Sequence, residues 1–293
     1  MTVALRSDEE EAVLRRAADA VLDRVAAWAS RLTRFDRTSE LCRLNDGGDR
    51  ASIGPTLTAV LDWARIAEDR SDGLVDVSML DARIAAEHGA AEHWASIDPR
   101  TPGARRRWSL SRTARGAMVR REPGVRFDLD GVAKGWLADR ALAIVAGPGR
   151  SALVDADGDI AARVAAGDTW DIGVGDPRTP DGLLAVLRLP GGETGRTLGV
   201  ATSGTTVHRW AHGAGASHHL IHPRTRRPAD TDVTQATVLA ATAREAEAFA
   251  KVGVVAGADD AFARLDRPGV LGVLLLTDRG EIRATPEMTR WLA

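Results

Sequence analysis

The most informative stretch of the sequence is Arg126-Phe-Asp-Leu-Asp-Gly-Val-Ala-Lys-Gly-Trp-Leu-Ala-Asp139. Its first residues predict a short β-strand, Asp130-Gly131 predicts a turn, and the residues that follow predict a helix carrying Lys134. The start of such a helix offers backbone N–H groups to an anion, and the Lys134 ammonium adds a positive charge. The stretch therefore suits a phosphate, although an ordinary strand-to-helix turn with solvated charges has the same pattern.

Composition limits the class of protein. The chain has 293 residues, of which 44% are hydrophobic and 27% charged, so it can bury a sizeable core. Its formal net charge of -2 gives no long-range attraction to nucleic acid, which favours a small ligand recognised locally. Cys42 is the only cysteine, which excludes an internal disulfide and a cysteine-rich metal site.

No targeting signal or membrane segment is visible in the sequence. The chain does not open with a charged and then apolar leader, and no apolar run approaches the ~20 residues that a membrane span needs. We therefore expect a cytoplasmic protein without a membrane span, while export of a longer form stays open.

The first half is predicted to be mainly helical and the second half mainly β. Pro55 suits the first turn of a helix, Leu74–Ser78 is a short β-rich stretch, and a hairpin is expected around Trp108. The segment between Thr33 and Asn45 is too irregular for a core element. Thr242 and Glu245 form a capping box that predicts the start of a helix. Further strands are predicted at residues 152–160, 170–177, 184–189, 200–204, 233–240 and 270–276.

Two catalytic interpretations of the second half compete. His208 and His212 are four residues apart, the spacing that places two imidazoles on one helical face for zinc, but Gly213 and Gly215 disfavour a helix there. Thr202-Ser203-Gly204 invites a serine nucleophile, yet the Gly-x-Ser-x-Gly elbow is absent. We interpret it as a polar turn that donates hydrogen bonds.

Taken together, six segments resemble the ApbE family, whose members are FAD:protein FMN transferases. The resemblance runs from about residue 10 to the end of the chain. The segments are Ser39–Asn45, Asp128–Gly135 with Asp139, Gly158–Ile160, Trp170–Pro177, Ala201–Gly204 and His218–Thr225.

The resemblance implies an α/β (α+β) fold, a single compact unit over residues 1–293 with a mixed β-sheet flanked by helices. It also implies that FAD is the substrate and that its pyrophosphate is cleaved. FMN would pass to a Ser or Thr hydroxyl of an acceptor flavoprotein, and AMP would leave, usually with magnesium neutralising phosphate charge. The alternative is a non-catalytic FAD-binding protein with a degenerate metal site.

Matching the family's motifs by position implies a set of site residues. His219 corresponds to a histidine that assists phosphoryl transfer. Phe35 stands where the family has a flavin-contacting Tyr, and each matched residue also has a structural interpretation, as a core, turn or surface residue. The residues implied in FAD binding are Phe35, Leu74, Val75, Asp76, Asp128, Lys134, Thr202, Ser203 and Ile221.

The metal site departs from the family pattern. The family's magnesium is held by an Asp, by a Thr one helical turn later and by a backbone carbonyl that corresponds to Gly131. Here Glu247 keeps an oxygen ligand, but Lys251 puts an ammonium where the hydroxyl belongs. Lys251 is therefore a candidate catalytic cation in place of Mg²⁺, unless Glu247 and Lys251 are only a surface ion pair. Arg226 and Asp157 also replace glycines of the family.

Overall fold

The computed structural model describes residues 1–89, 107–212 and 215–293. Residues 90–106 lie outside the described residues. The chain divides into two compact units, which we call the sheet unit (Met1–Ala26, Lys134–Gly204 and Asp232–Ala293) and the small unit (Ala27–Ala133 and Thr205–Thr231). That residues 1–293 form a single domain stays a prediction.

The described residues form eight helices. They are α1 (Glu11–Leu32), α2 (Glu40–Asp46), α3 (Pro55–Arg70), α4 (Leu80–His88), α5 (Ala133–Val145), α6 (Ala243–Val255), α7 (Ala258–Leu265) and α8 (Pro286–Thr289).

The described strands number sixteen. They are β1 (Thr2–Arg6), β2 (Arg50–Ile53), β3 (Trp108–Thr113), β4 (Gly116–Arg121), β5 (Ser151–Asp155), β6 (Ile160–Val164), β7 (Thr169–Gly175), β8 (Leu183–Pro190), β9 (Arg196–Gly204), β10 (Arg209–His212), β11 (Gly215–His218), β12 (Ile221–His222), β13 (Arg227–Pro228), β14 (Val233–Ala240), β15 (Val270–Thr277) and β16 (Ile282–Ala284).

The sheet unit is built on seven strands in the order β1-β5-β6-β9-β14-β15-β16. The α/β class is confirmed, but neighbouring strands in this sheet pair antiparallel, where a mixed sheet was expected. The reason is local for β5 and β6, which a short connection of four residues, 156–159, joins directly. Asp157 and Gly158 both have positive φ, 62° and 89°, as the tight hairpin turn requires. Asp tolerates this conformation, which explains Asp157 in place of a glycine.

The interior strand β14 is buried on both faces. Ala236 faces α6, since a Cβ added to Gly253 of that helix would lie 2.8 Å from the Ala236 Cβ. Leu239 is three residues on and points to the opposite face, where it joins an apolar cluster with the β7–β8 hairpin. The sheet therefore has α6 on one side and the hairpin on the other. Thr242 caps α6 by accepting the Glu245 N–H, which confirms the predicted capping box.

The small unit contains α2, α3, α4 and a three-stranded sheet in the order β2-β4-β3. The hairpin predicted around Trp108 is confirmed as β3 and β4, and Pro55 stands in the first turn of α3. The segment between Thr33 and Asn45 is not wholly irregular, because α2 lies at its end.

The short strand predicted from Arg126 up to the turn at Asp130-Gly131 is wrong. Phe127 donates its N–H to the Asn45 side chain at 2.7 Å and accepts from the same side chain at 2.8 Å. Asp128 donates its N–H to the Val77 carbonyl at 2.8 Å. The main chain of this stretch is therefore held by a buried side-chain amide on α2 and not by a neighbouring strand.

Among the described helices, none is both long enough and apolar enough to cross a membrane.

Candidate functional site

In the sheet unit, the start of α5 is bound by a carboxylate of the protein itself. Glu247 on α6 accepts the Lys134 N–H at 3.3 Å through Oε1 and the Gly135 N–H at 2.8 Å through Oε2. Only 3% of Glu247 is exposed. The amides of Lys134 and Gly135, which the sequence suggested for a phosphate, are therefore satisfied by Glu247.

Lys134 makes an ion pair in the same unit. Its Nζ lies 3.1 Å from Oδ2 of Asp159, which follows the β5–β6 turn and is almost completely buried. The Lys134 side chain remains 40% exposed. The ion pair orients the ammonium, and part of the Lys134 side chain stays open to a ligand.

Glu247 and Lys251 are not on the surface, as the alternative of a surface ion pair required. Both residues are buried, with 3% and 9% of their surface exposed. Burying an ammonium is costly unless other groups compensate its charge. Lys251 follows Glu247 by one helical turn on α6, so the two residues lie on one face of the helix.

The residues of this region do not fit a magnesium centre. Magnesium takes several oxygen ligands, whereas both oxygens of Glu247 accept amides, and Lys251 brings a cation. Within the described ranges there is no group of three or more His, Cys, Asp or Glu side chains that could hold a metal ion. Gly131, the other predicted metal ligand, belongs to the small unit and has φ of 100°.

Thr202 and Ser203 lie within β9 and not in a turn, which corrects the sequence interpretation. Thr202 is opposite Thr237 of β14, and their hydroxyl oxygens are 2.8 Å apart. The two hydroxyls form a hydrogen-bonded pair across the strands. Thr202 is exposed and Ser203 is half-buried.

In the small unit, Phe35 has 82% of its surface exposed, a large value for an aromatic side chain. The guanidinium carbon of Arg34 lies 4.3 Å from the centre of its ring. Arg34 in turn donates to Glu87, its Nη1 lying 3.3 Å from Oε2. Phe35 is therefore presented to solvent beside a held cation, and it is not a core residue.

Residues 74–78 form an irregular, bent segment and not the expected β-rich stretch. Leu74 and Val75 are buried, so any ligand contact there falls to their main-chain groups. Asp76 is 7% exposed, and its Oδ1 accepts hydrogen bonds of 2.7 Å from both the N–H and the hydroxyl of Ser78. Arg226 has φ of 54°. Burial and the charge of Arg107 lower the pKa of Arg226, against the raising effect of Asp76.

Asp128 begins the turn that leads into α5. Its Oδ1 accepts the N–H of Asp130 at 3.2 Å. Burial raises the pKa of Asp128, and the negative charge of Asp130 adds to this effect, while the positive charges of Arg34 and Arg83 oppose it. A carboxyl group with a raised pKa in a polar cluster is a candidate for a functional role.

His218 and His219 have different surroundings. His218 accepts the Leu220 N–H on Nδ1 at 3.3 Å, so the proton is assigned to Nε2, which lies 3.0 Å from the Ala229 carbonyl oxygen. Burial lowers the pKa of His218, in keeping with a neutral ring. The His219 ring packs edge-on against the His208 ring, with centroids 5.4 Å apart.

The zinc interpretation finds no support in the described residues. His212 ends strand β10, so His208 and His212 do not share a helical face. The His212 side chain lies outside the described part of the structure.

Ile221 packs in the core of the small unit and not against solvent. It is 2% exposed and joins a cluster with Met79, Ala82 and Ala86 of the α4 region. Its predicted contact with FAD therefore falls to its main-chain groups or requires a movement of the side chain.

The sequence interpretation missed Arg83. This residue belongs to none of the six segments, yet it donates to Glu87 at 2.9 Å and to the His219 carbonyl at 3.1 Å. The only signal in the sequence is the i, i+4 spacing of Arg83 and Glu87, which is common on helix surfaces.

Two curated relatives are both named FAD:protein FMN transferase. The protein of Rhodobacter capsulatus is 30% identical over 256 residues, which are 82% of this chain and 46% of the relative. The protein of Treponema pallidum is 31% identical over 176 residues, which are 56% of this chain and 47% of the relative. The chain thus spans less than half the length of either relative.

Solved structures share the fold. The ApbE protein from Thermotoga maritima aligns with a TM-score of 0.81 at 21% identity, over 99% of this chain and 94% of that one. The flavinyl transferase ApbE of Pseudomonas stutzeri, in its apo form, aligns with a TM-score of 0.76 at 18% identity, over 99% and 92%.

A family model described as the ApbE family matches residues 1–275. The match covers most of the sheet unit and all of the small unit, and with it the expected α/β fold is confirmed. The chain belongs to the ApbE family.

Proposed function

We propose that the protein is an FAD:protein FMN transferase that works without magnesium. It binds FAD, cleaves its pyrophosphate and transfers FMN to a Ser or Thr hydroxyl of an acceptor protein. Support comes from the family membership, from relatives that carry this name, and from the surroundings of the predicted site residues.

The observation that carries the proposal is the exposure of Phe35. An aromatic side chain that is 82% exposed gives up most of the free energy that its burial would provide. A planar flavin ring stacked on Phe35 would recover that free energy. Arg34, which lies 4.3 Å from the ring, fixes its position before the ligand arrives.

The chemical step exchanges one P–O bond for another. The hydroxyl oxygen of the acceptor attacks the phosphorus on the FMN side of the pyrophosphate, the bridging P–O bond breaks, and AMP leaves with the bonding electron pair. The hydroxyl proton passes to His219. Positioning and neutralisation of charge supply most of the acceleration in reactions of this type.

Positive charge in the sheet unit comes from side chains. Lys134 keeps 40% of its side chain exposed while Asp159 orients it, which suits a contact with phosphate oxygens. Lys251 takes the role of the family's metal as a fixed cation, and Glu247 holds the α5 terminus instead of coordinating a metal. One monovalent cation stabilises transition-state charge less than Mg²⁺ does, so we expect slow turnover.

Other polar groups supply the rest of the recognition of FAD. Asp128 and Asp76 hydrogen-bond the nucleotide, together with main-chain groups at Leu74, Val75 and Ile221. The hydroxyls of Thr202 and Ser203 donate to it.

A second candidate is an FAD-binding protein without turnover. The same observation on Glu247 and Lys251 favours it, because the metal site is replaced in full. Such a protein would keep FAD intact.

One experiment separates the two candidates. The purified chain is incubated with FAD and a Ser- or Thr-containing acceptor, and the products are separated by chromatography. Release of AMP with covalent flavin on the acceptor supports the transferase, and intact bound FAD supports the second candidate. Absence of any FAD binding would contradict both.

A further inference from the structure

Arg83 makes three polar contacts from α4. Its Nε donates to Glu87 Oε1 at 2.9 Å, and its Nη1 donates to the His219 carbonyl at 3.1 Å and lies 3.5 Å from Asp130 Oδ2. The side chain is only 7% exposed. A planar guanidinium with fixed donors holds several acceptors in one geometry, which a flexible ammonium does not.

Glu87 holds Arg83 and Arg34 together. Both oxygens of Glu87 accept from Arg34, and Oε1 also accepts from Arg83. Arg34 and Glu87 side chains are 15% and 17% exposed, so these charges are largely removed from water. Loss of one member of such a set leaves a buried charge without compensation. We call Arg34, Glu87 and Arg83 the arginine bridge.

The bridge ends at two groups of the proposed site. At one end Arg34 lies against the ring of Phe35. At the other end Arg83 holds the main chain at His219, directly after β11. A second bond, from the Ser217 hydroxyl to the Ala86 carbonyl at 2.6 Å, fixes the same strand to α4. The guanidinium carbon of Arg83 also lies 5.1 Å from the Trp210 ring.

We propose that Arg83 is a positioning residue for His219. It acts through the His219 carbonyl and Asp130, and Glu87 and Arg34 keep it in place. The catalytic consequence rests on the proposed transferase function. A displacement of about 1 Å in a catalytic group costs ~100-fold in rate, so the carbonyl contact is sufficient to matter.

The test uses the whole chain labelled with ¹⁵N-histidine. Arg83→Met removes every donor and keeps an apolar stem of similar length, while Arg83→Lys keeps one charge. Arg126→Met is the matched control, because the Arg126 side chain donates to Asp81 of α4 at 2.7 Å and not to His219. The imidazole signal of His219 is identified by its loss in His219→Gln.

We expect Arg83→Met to shift the signals of His219 and His208 while the signal of His222 stays in place. Arg126→Met should leave all of them unchanged. In steady-state assays kcat should fall ~100-fold in Arg83→Met, with the KM for FAD nearly constant, and Arg83→Lys should recover part of kcat.

An unchanged His219 signal in Arg83→Met would overturn the inference, and so would a shift of all histidine signals together, which would show a general loss of structure. If Arg83→Met does not fold, Arg83→Lys is compared with Arg126→Met by the same criteria. If the unsubstituted chain releases no AMP, the transferase function fails, while the histidine signals still decide whether Arg83 positions His219.

Discussion

Glu247 and Asp139 cap each other's helices. Glu247 on α6 accepts the amides of Lys134 and Gly135 at the start of α5, and Asp139 on α5 accepts those of Ala243 and Arg244 at the start of α6, at 2.9 and 3.2 Å. Asp139 lies four residues after Gly135, whose amide Glu247 accepts. In the same way, Glu247 lies four residues after Ala243, whose amide Asp139 accepts. Glu247 therefore has a structural role, as the hydrogen-bond acceptor at the start of α5.

Removal of the Glu247 carboxylate should destabilise the fold. Glu247→Ala leaves two buried amides without an acceptor, so we expect a loss of about 1–3 kcal/mol in the free energy of unfolding. Glu247→Gln should lose roughly half as much, because the amide oxygen can still accept one bond. Urea denaturation measures both. Glu11→Ala is the control, since its side chain is 85% exposed; equal losses in the three variants would contradict the capping role.

The contact between α5 and α6 also depends on a glycine. A Cβ at Gly135 would lie 2.5 Å from the Ala243 carbonyl oxygen, which forces backbone movement. We expect Gly135→Ala to cost about 3 kcal/mol. At Gly147 an added Cβ meets nothing within 4 Å, so Gly147→Ala should be neutral. Thermal unfolding compares the two, and equal melting temperatures would rule out the close helix contact.

We expect the Asp128 carboxylate to lower the stability of the free protein and to strengthen FAD binding. Its raised pKa means that the associated stability is full below the ordinary value of 3.8 and is lost as pH rises through the folded-state pKa. Asp128→Asn removes the charge and should raise the melting temperature of the free protein at pH 7. It should also weaken FAD binding about tenfold, as measured by calorimetry, through loss of a charged hydrogen-bond acceptor. Asp46→Asn should do neither, and comparable effects at both positions would exclude a specific role for Asp128.

Substitutions of the adjacent residues His218 and His219 should have different effects on stability and on kcat. His219→Ala should lower kcat by ~100-fold or more with little change in stability. His218→Ala should lose about 1 kcal/mol of stability at neutral pH, because it removes the bond to the Ala229 carbonyl.

The pH dependence of stability gives a second comparison at His218. Its lowered pKa stabilises the fold above the ordinary value of 6.5, and this stability is lost as pH falls through the folded-state pKa. His218→Ala should flatten the stability profile in this acidic range. A similar loss of kcat in both histidine variants would indicate folding defects in place of catalysis.

The sequence predicted elements whose signals are local. The capping box at Thr242, the proline that starts α3 and the hairpin at Trp108 all depend on neighbours in the chain, and all are confirmed. The strand expected between Arg126 and the turn at Asp130 is not formed, because Asn45, 82 residues away, takes the main-chain bonds of Phe127. Sequence patterns contain no signal for such a distant contact.

In the candidate site, too, the sequence predicted the local features and missed those that depend on distant contacts. The resemblance placed Glu247 and Lys251 one turn apart, and the structure confirms that spacing on α6. Both residues are buried, and Glu247 caps another helix through the amide of Gly135, which is 112 residues away in the chain. Arg83 was missed for a related reason, since its contacts to Asp130 and His219 join residues far apart in the chain.

In the proposed mechanism, the buried Lys251 replaces the metal in FAD cleavage. The most direct measurement is AMP release from FAD by the purified chain, in EDTA and in magnesium, compared with Lys251→Thr combined with Glu247→Asp. FAD affinity is measured by calorimetry under the same conditions. We predict that the unsubstituted chain binds FAD and releases AMP slowly and equally in both conditions, while the double variant depends on magnesium. Loss of FAD binding or of AMP release by the unsubstituted chain in EDTA would show that Lys251 does not replace the metal.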